Sequence, residues 1–425
     1  MTEAAFTGRL SVIGVNLSLA VCLINLFCVS IKRSADRRFC PPAALSLSFE
    51  KLFFFKFRIN LFHLLILPSN EVIHMRLKLE QKTILITGVA GFIGSCLAKQ
   101  LLSTISAVKI IGIDNLNDYY DVKLKEGRLV KLRLYPNFVF LKGDLADKSF
   151  VEKVFTQYSP QLVVHLAAQA GVRYSLVNPD AYISSNLVGF FHILEGCRHL
   201  KETAGHPVEH LVYASSSSVY GNNRKLPYSV GDPVDHPVSL YAATKKSNEL
   251  MAHAYSKLYE IPSTGLRFFT VYGPAGRPDM AYFRFTDQLV QGKTIQIFNY
   301  GNCKRDFTYI DDIIEGVIQV MKKPPTSGEE TVPYKIYNIG NHHPENLLDF
   351  LEILKQELIH AQVLPRNYDF QAHTQLVPMQ PGDVEETYAD IDDLIRDFNF
   401  RPHTSLREGL RTFAFWYKRY RGGIL

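Results

Sequence analysis

Short apolar runs alternate with longer helical stretches along most of this chain. From Thr83, TILIT leads into a glycine-rich turn and the helical pattern GFIGSCLAKQLL. VKIIGID, FVFLKGDL and LVVHLAA (162–168) follow at intervals, and a further apolar run enters VYASSSSVYG. Continuous apolar runs of this length suit strands buried on both faces, and helices between them suit parallel crossovers. Residues 83–275 therefore predict an α/β fold with a doubly wound parallel sheet. Beyond about 275 short strands and helices mix, including the amphipathic LREGLRTFAFWYKRYRG, which predicts a smaller mixed α/β C-terminal domain covering the substrate. The expected domains are 75–265 and 266–425, partly interleaved.

The first 74 residues follow another pattern. LSVIGVNLSLAVCLINLFCVSI (10–31) carries no charge and is long enough to cross a bilayer, although Asn16 and Asn25 weaken it. Lys32, Arg33, Arg37 and Arg38 follow it, so a true span leaves the catalytic body in the cytoplasm. The competing reading is an over-extended translation start, because Met75 opens MRLKLEQKTILITG as a domain would. Membrane contact is expected only through this segment.

Charge then narrows the partners. Residues 1–74 hold eight Lys/Arg against four Asp/Glu, leaving 39 against 37 in the body, so the net +6 gives no basic surface for nucleic acid. The six Cys include no CxxC and the fourteen His form no ligand-like cluster, so no metal site is expected. Asp311 and Asp312 read as an N-cap and a first-turn acid of the helix that follows them.

The chemistry starts at Gly88, Gly91 and Gly94. GxxGxxG alone is weak, but here it lies between strand and helix, where backbone can approach a pyrophosphate. Asp114 ends the next run, twenty residues after Gly94, where a carboxylate can bind an adenosine ribose. Asn115 follows it rather than Arg, which favours NAD over NADP. Asp144 and Leu145 are placed to flank adenine, and Ala167 brings a small residue near the dinucleotide. This is a Rossmann arrangement.

Tyr241 and Lys245 stand four apart on a predicted helix. Tyr119 and Lys123 repeat the spacing, but Tyr119 follows only the second strand, on the adenosine side. Tyr241 follows the strand ending in the serine run, at the carboxyl edge where such sheets bind ligands. A neighbouring ammonium favours the phenolate, so Tyr241 can act as a base toward a sugar hydroxyl, with Ser216 sharing the same oxygen.

TGVAGFIG, SSSSVYG, YAATK and LRFFTVYGP together resemble the extended short-chain dehydrogenase/reductase superfamily. Within it DNLNDYYDVKLK, HLAAQAGVRYSL, HPVSLYAATKKSNEL, YGPAGRPDM, RDFTYIDD and MQPGDV are similar to the UDP-glucuronate 4-epimerases, over residues 78–420. The resemblance implies Tyr241 as base, Lys245 as its partner on the nicotinamide ribose, and Ser216 on the reacting hydroxyl. It adds Phe92 and Ile93 to the NAD set, places Arg305 and Asp383 on the UDP moiety, and puts Thr270 and Arg277 at the sugar carboxylate. Ala275 and Tyr282 depart from the family's usual residues and are expected to loosen the pocket.

The reaction class turns on the residues before VYG. Related dehydratases and decarboxylases carry acids there, whereas this chain has Ser217 and Ser218. The leading expectation is an isomerase interconverting UDP-glucuronate and UDP-galacturonate, with Ser217 in a hydroxyl-lined wall. Alternatives are a UDP-hexose 4-epimerase and a UDP-glucuronate decarboxylase; a non-catalytic NAD-binding scaffold would lack the Tyr or the Lys. The resemblance also implies a homodimer through the helical stretches 178–200 and 239–260.

Overall fold

The computed structural model describes residues 76–328, 331–379 and 384–423. The segment 10–31, with both its readings, and Asp383 lie outside the described residues. Among the described residues no helix is long and apolar enough to cross a membrane.

The apolar runs become strands in the expected places: β1 (Thr83–Thr87), β2 (Lys109–Asp114), β3 (Phe138–Lys142), β4 (Leu162–His165), β5 (His210–Ser216) and β6 (Ser263–Phe268). Next come β7 (Thr270–Tyr272), β8 (Ile295–Ile297), β9 (Lys304–Tyr309), β10 (Tyr334–Ile339), β11 (Pro344–Asn346) and β12 (Thr374–Leu376). One seven-stranded sheet runs β3-β2-β1-β4-β5-β6-β10, and every pairing in it is parallel. The order reverses between β1 and β4, which opens a ligand crevice at their carboxyl ends. Strands from both sides of residue 265 share this sheet, because β6 spans 263–268 and β10 joins beside it. Small sheets, β11-β9-β7 and β12-β8, carry the C-terminal part.

Helices cover both faces. They are α1 (Phe92–Thr104), α2 (Val122–Leu132), α3 (Lys148–Tyr158), α4 (Gly189–Ala204), α5 (Leu240–Tyr259), α6 (Ala281–Val290), α7 (Ile310–Met321), α8 (Leu347–His360), α9 (Asp392–Phe398) and α10 (Leu406–Arg421). Fully buried residues alternate between faces of β1: Ile84 and Ile86 pack into one cluster with α1, while Leu85 packs into another with α3 and α4. Burial of both faces is why these runs read as continuously apolar.

Asp311 and Asp312 correct one expectation. Both lie in the first turn of α7, and the N-cap is Tyr309. Asp312 is buried and accepts the amides of His403 and Thr404 at 3.3 and 3.0 Å, so it ties the approach to α10 down as well as facing the helix dipole.

Candidate active site

The turn between β1 and α1 is built on close backbone approach. Gly88 has φ +69°, and a Cβ there would lie 2.8 Å from the Ala167 nitrogen. A Cβ on Gly94 would lie 2.3 Å from the Gly88 carbonyl oxygen, so α1 starts hard against the strand. No side chain caps the N-terminus of α1, and its first turn holds no acid, which suits an anion. Asp114 shapes this turn: Oδ2 accepts the Ala90 amide at 3.1 Å and Oδ1 the Leu116 amide at 2.9 Å. Each oxygen has a second lone pair for a ribose. Asn115 Nδ2 donates to Asp144 Oδ2 at 3.2 Å, linking the ends of β2 and β3.

Three successive residues of β5 engage three turns of α5. The Ser216 hydroxyl lies near enough to the Tyr241 phenol to pull its pKa down, while it donates to Ser218 Oγ at 3.1 Å. The Ala214 carbonyl accepts from Lys245 Nζ at 2.8 Å, and the Ser215 hydroxyl donates to Glu249 Oε1 at 2.7 Å. Tyr241, Lys245 and Glu249 are four apart and share a helix face. Glu249 in turn takes Arg267 through Nε at 2.8 Å and Nη2 at 2.9 Å, both side chains 3% exposed. Such a pair fixes geometry because either partner alone would be a buried, uncompensated charge.

Burial raises the pKa of Tyr241, and two neighbours oppose that: the Ser216 hydroxyl and the Arg277 charge. Burial also lowers the Lys245 pKa to about 8. The sequence expectation had the ammonium beside the phenol; in the structure Lys245 reaches back to the strand, and Arg277 is a cation felt at Tyr241.

At the other end of the site Arg277 lays its fork on Asp279, Nε to Oδ1 at 3.0 Å and Nη2 to Oδ2 at 2.6 Å. Tyr119 donates to the same carboxylate at 3.2 Å. This corrects the assignment of Tyr119 to the adenosine side. The segment between β2 and α2 is long enough to bring it against Tyr174, ring centroids 4.7 Å apart, and Asp279. Burial and the Asp279 charge push the Tyr119 phenol up to about 12, so it acts as a donor. Arg305 is also engaged, through Nη1 with the carbonyls of Lys304 and Glu385 and through Nη2 with that of Val384 at 2.7 Å.

One cavity of about 950 Å³ gathers these groups. Gly88, Gly91, Phe92, Ile93, Gly94 and Asp114 line it, as do Asn115, Asp144, Leu145 and Ala167. Ser216, Ser217, Tyr241, Lys245, Thr270, Arg277 and Arg305 line the rest, so every expected site residue within the described part faces the same space. Ala275 and Tyr282 are not among its lining residues, which corrects the expectation that they loosen the pocket. Tyr282 is fully buried and donates to the Gly273 carbonyl at 3.2 Å, beneath the loop.

Sequence reasoning missed Ser215, Glu249, Asn186, Arg128 and Asp279. Glu249 repeats the spacing of Tyr241 and Lys245, a usable signal. Asn186 is buried in a π-helical turn (Ile183–Val188), where it exchanges hydrogen bonds with the backbone of Gln169 and reaches Thr244 of α5. Arg128 offered no signal, being one cation among several in VKLKEGRLVKL.

A family model described as the NAD dependent epimerase/dehydratase family matches residues 84–340. Protein CapI of Staphylococcus aureus is 51% identical over 79% of this chain and 98% of its own length. UDP-glucuronate 4-epimerase 4 of Arabidopsis thaliana is 43% identical over 80% of this chain and 76% of its own. The crystal structure of UDP-glucuronic acid 4-epimerase from Bacillus cereus with UDP-glucuronic acid and NAD superposes with a TM-score of 0.69 at 32% identity, covering 80% of this chain and 99% of that one.

Proposed function

This chain belongs to the NAD dependent epimerase/dehydratase family, and from that premise we propose that it interconverts UDP-glucuronate and UDP-galacturonate through a transient 4-keto sugar. The observation that carries the reading is the set of side chains sharing the cavity with Tyr241: Ser217, Thr270 and Arg277, with hydroxyls where an eliminating enzyme needs an acid. The carboxylate present there, Asp279, is held ionised by Arg277 against the effect of its burial, so it is no proton donor.

NAD is the cofactor, and the glycine turn, Asp114, Asp144 and Lys245 are the residues that would hold it. When bound, it would supply the hydride-accepting and hydride-donating chemistry needed at the sugar's C4. The protein's part is proton traffic and restraint. Tyr241 takes the proton of the 4-hydroxyl and later returns it, and Ser216 orients that hydroxyl. The ketone so formed is a β-keto acid, which loses CO₂ when its C5–C6 bond aligns with the carbonyl π system. Thr270, Ser217 and Arg277 hold the carboxylate out of that alignment. Arg305 and Asp383 are assigned to the UDP moiety.

A UDP-hexose epimerase has no use for a cation at the sugar's C6, whereas a decarboxylase binds the same carboxylate and is told apart by its product. We also propose a homodimer, because Phe191 of α4 and Leu250 and Leu258 of α5 leave apolar side chains exposed on the two helical stretches named above. The test is incubation of the purified full chain with UDP-glucuronate and no added NAD. UDP-galacturonate is the expected product; UDP-pentose would establish the decarboxylase, and no conversion of any UDP-sugar would sink the enzymatic reading.

A further inference from the structure

Arg128 lies on the buried face of α2 with Leu124, Leu129 and Leu132, and is itself only 6% exposed. A guanidinium has five N–H groups in a rigid fork, and here each has an acceptor. Nη1 donates to the Ala90 carbonyl at 2.8 Å and to the Tyr120 hydroxyl at 2.7 Å. Nη2 donates to the carbonyls of Ala275 and Gly276 at 2.7 and 3.0 Å, and Nε to that of Ala275 at 3.1 Å. Ala90 belongs to the turn between β1 and α1, and its amide donates to Asp114. Ala275 and Gly276 immediately precede Arg277. One buried side chain therefore joins the dinucleotide turn to the loop that carries the cation at the sugar.

The loop has little freedom of its own. Ala275 sits at φ +57°, a conformation an alanine adopts only when its surroundings hold it. A Cβ on Gly276 would lie 1.7 Å from the Tyr282 hydroxyl, so the loop also rests directly on that side chain. We propose that Arg128 is a positioning residue: it sets Arg277 in register with the dinucleotide turn, and restraint of the sugar carboxylate against CO₂ loss depends on it. The second clause rests on the uronate reading above. A lysine cannot replace the fork, having one nitrogen with three donors where acceptors from three separate segments must be met.

Without Arg128 the carbonyls of Ala90, Ala275 and Gly276 lose their partner and the two segments move independently. Arg277 then restrains the sugar carboxylate less well. In the keto intermediate the C5–C6 bond breaks, CO₂ departs, and the bonding electron pair passes into a C4–C5 enolate that takes a solvent proton at C5.

The test compares the full chain with Arg128→Met and Arg128→Lys for the ratio of CO₂-losing product to epimer in one incubation, so that the amount of folded enzyme cancels. Arg128→Met should raise that ratio roughly tenfold, the scale of one hydrogen bond to a charged group, with Arg128→Lys between it and the wild type. An unchanged ratio overturns the proposal. Amide hydrogen exchange adds a readout independent of turnover. Residues 89–94 and 275–279 should exchange faster together in Arg128→Met, and acceleration of only one segment, or of neither, overturns the coupling whatever the reaction. A wild-type chain that makes no UDP-galacturonate counts against the proposed reaction, and the exchange data still decide on Arg128.

Discussion

The two ends of the cavity are built differently. At the dinucleotide end the decisive contacts are backbone on backbone: Gly94 against the Gly88 carbonyl, and Gly88 against the peptide of Ala167. At the sugar end they are side chains brought from distant segments, with Tyr119, Asp279 and Arg277 in one chain of contacts and Arg128 holding the loop from α2. Tyr241 stands where the two meet, on a helix stitched to β5 by Lys245 and Glu249. A backbone-built site tolerates no added atoms, whereas a side-chain-built site can be retuned one residue at a time.

The largest expected effect is at the junction. Tyr241→Phe removes the proton acceptor and should lower kcat by roughly 10²–10⁴-fold, while bound NAD and sugar affinity stay near wild type. Loss of either ligand would mean that Tyr241 shapes the site rather than acting in it. Gly94→Ala tests the backbone end. Its methyl meets a carbonyl that cannot step aside, and displacement of this kind costs about 2–4 kcal/mol, so the protein should purify with little NAD. Retained NAD would show that the turn is softer than its packing implies.

Asp279→Asn tests the sugar end and should be milder. With the competing carboxylate gone, Arg277 meets a uronate with its full charge. KM for UDP-glucuronate should fall by about tenfold or less, the range of one charge-assisted bond, with KM for UDP-glucose unmoved. Equal changes for both sugars would remove Arg277 from the carboxylate. The smallest effect is on pH dependence. Burial lowers the Lys245 pKa from 10.5 to about 8, so between those values the unfolded chain holds the proton that the folded chain has released. The contribution of Lys245 to stability therefore rises with pH across that window, while turnover that needs its charge falls above about pH 8. In Lys245→Met, the rise in stability specific to this residue should vanish in denaturant titrations repeated across the window.

This contrast also explains what was legible in the sequence. Gly88, Gly91, Gly94 and Asp114 stood out because close backbone approach demands glycine at set spacings and strand ends demand particular positions. Tyr241 and Lys245 stood out because helical spacing puts them on one face. Ser215 looked identical to its neighbours in SSSS, yet it alone of the four faces the buried Glu249–Arg267 pair. Tyr119 was misplaced because a loop of ordinary polar composition does not show how far it reaches. Arg128 was invisible, since its carbonyl acceptors lie 38, 147 and 148 residues away along the chain.

The central claim is that the sugar is oxidised and reduced again at C4 with every carbon and carbon-bound hydrogen retained. Conversion of UDP-glucuronate in D₂O, followed by mass spectrometry and proton NMR of the product, tests it most directly. The account predicts UDP-galacturonate with an intact carboxylate and no deuterium at C4 or C5. Deuterium at either carbon, or a UDP-pentose in place of the uronate, would contradict it.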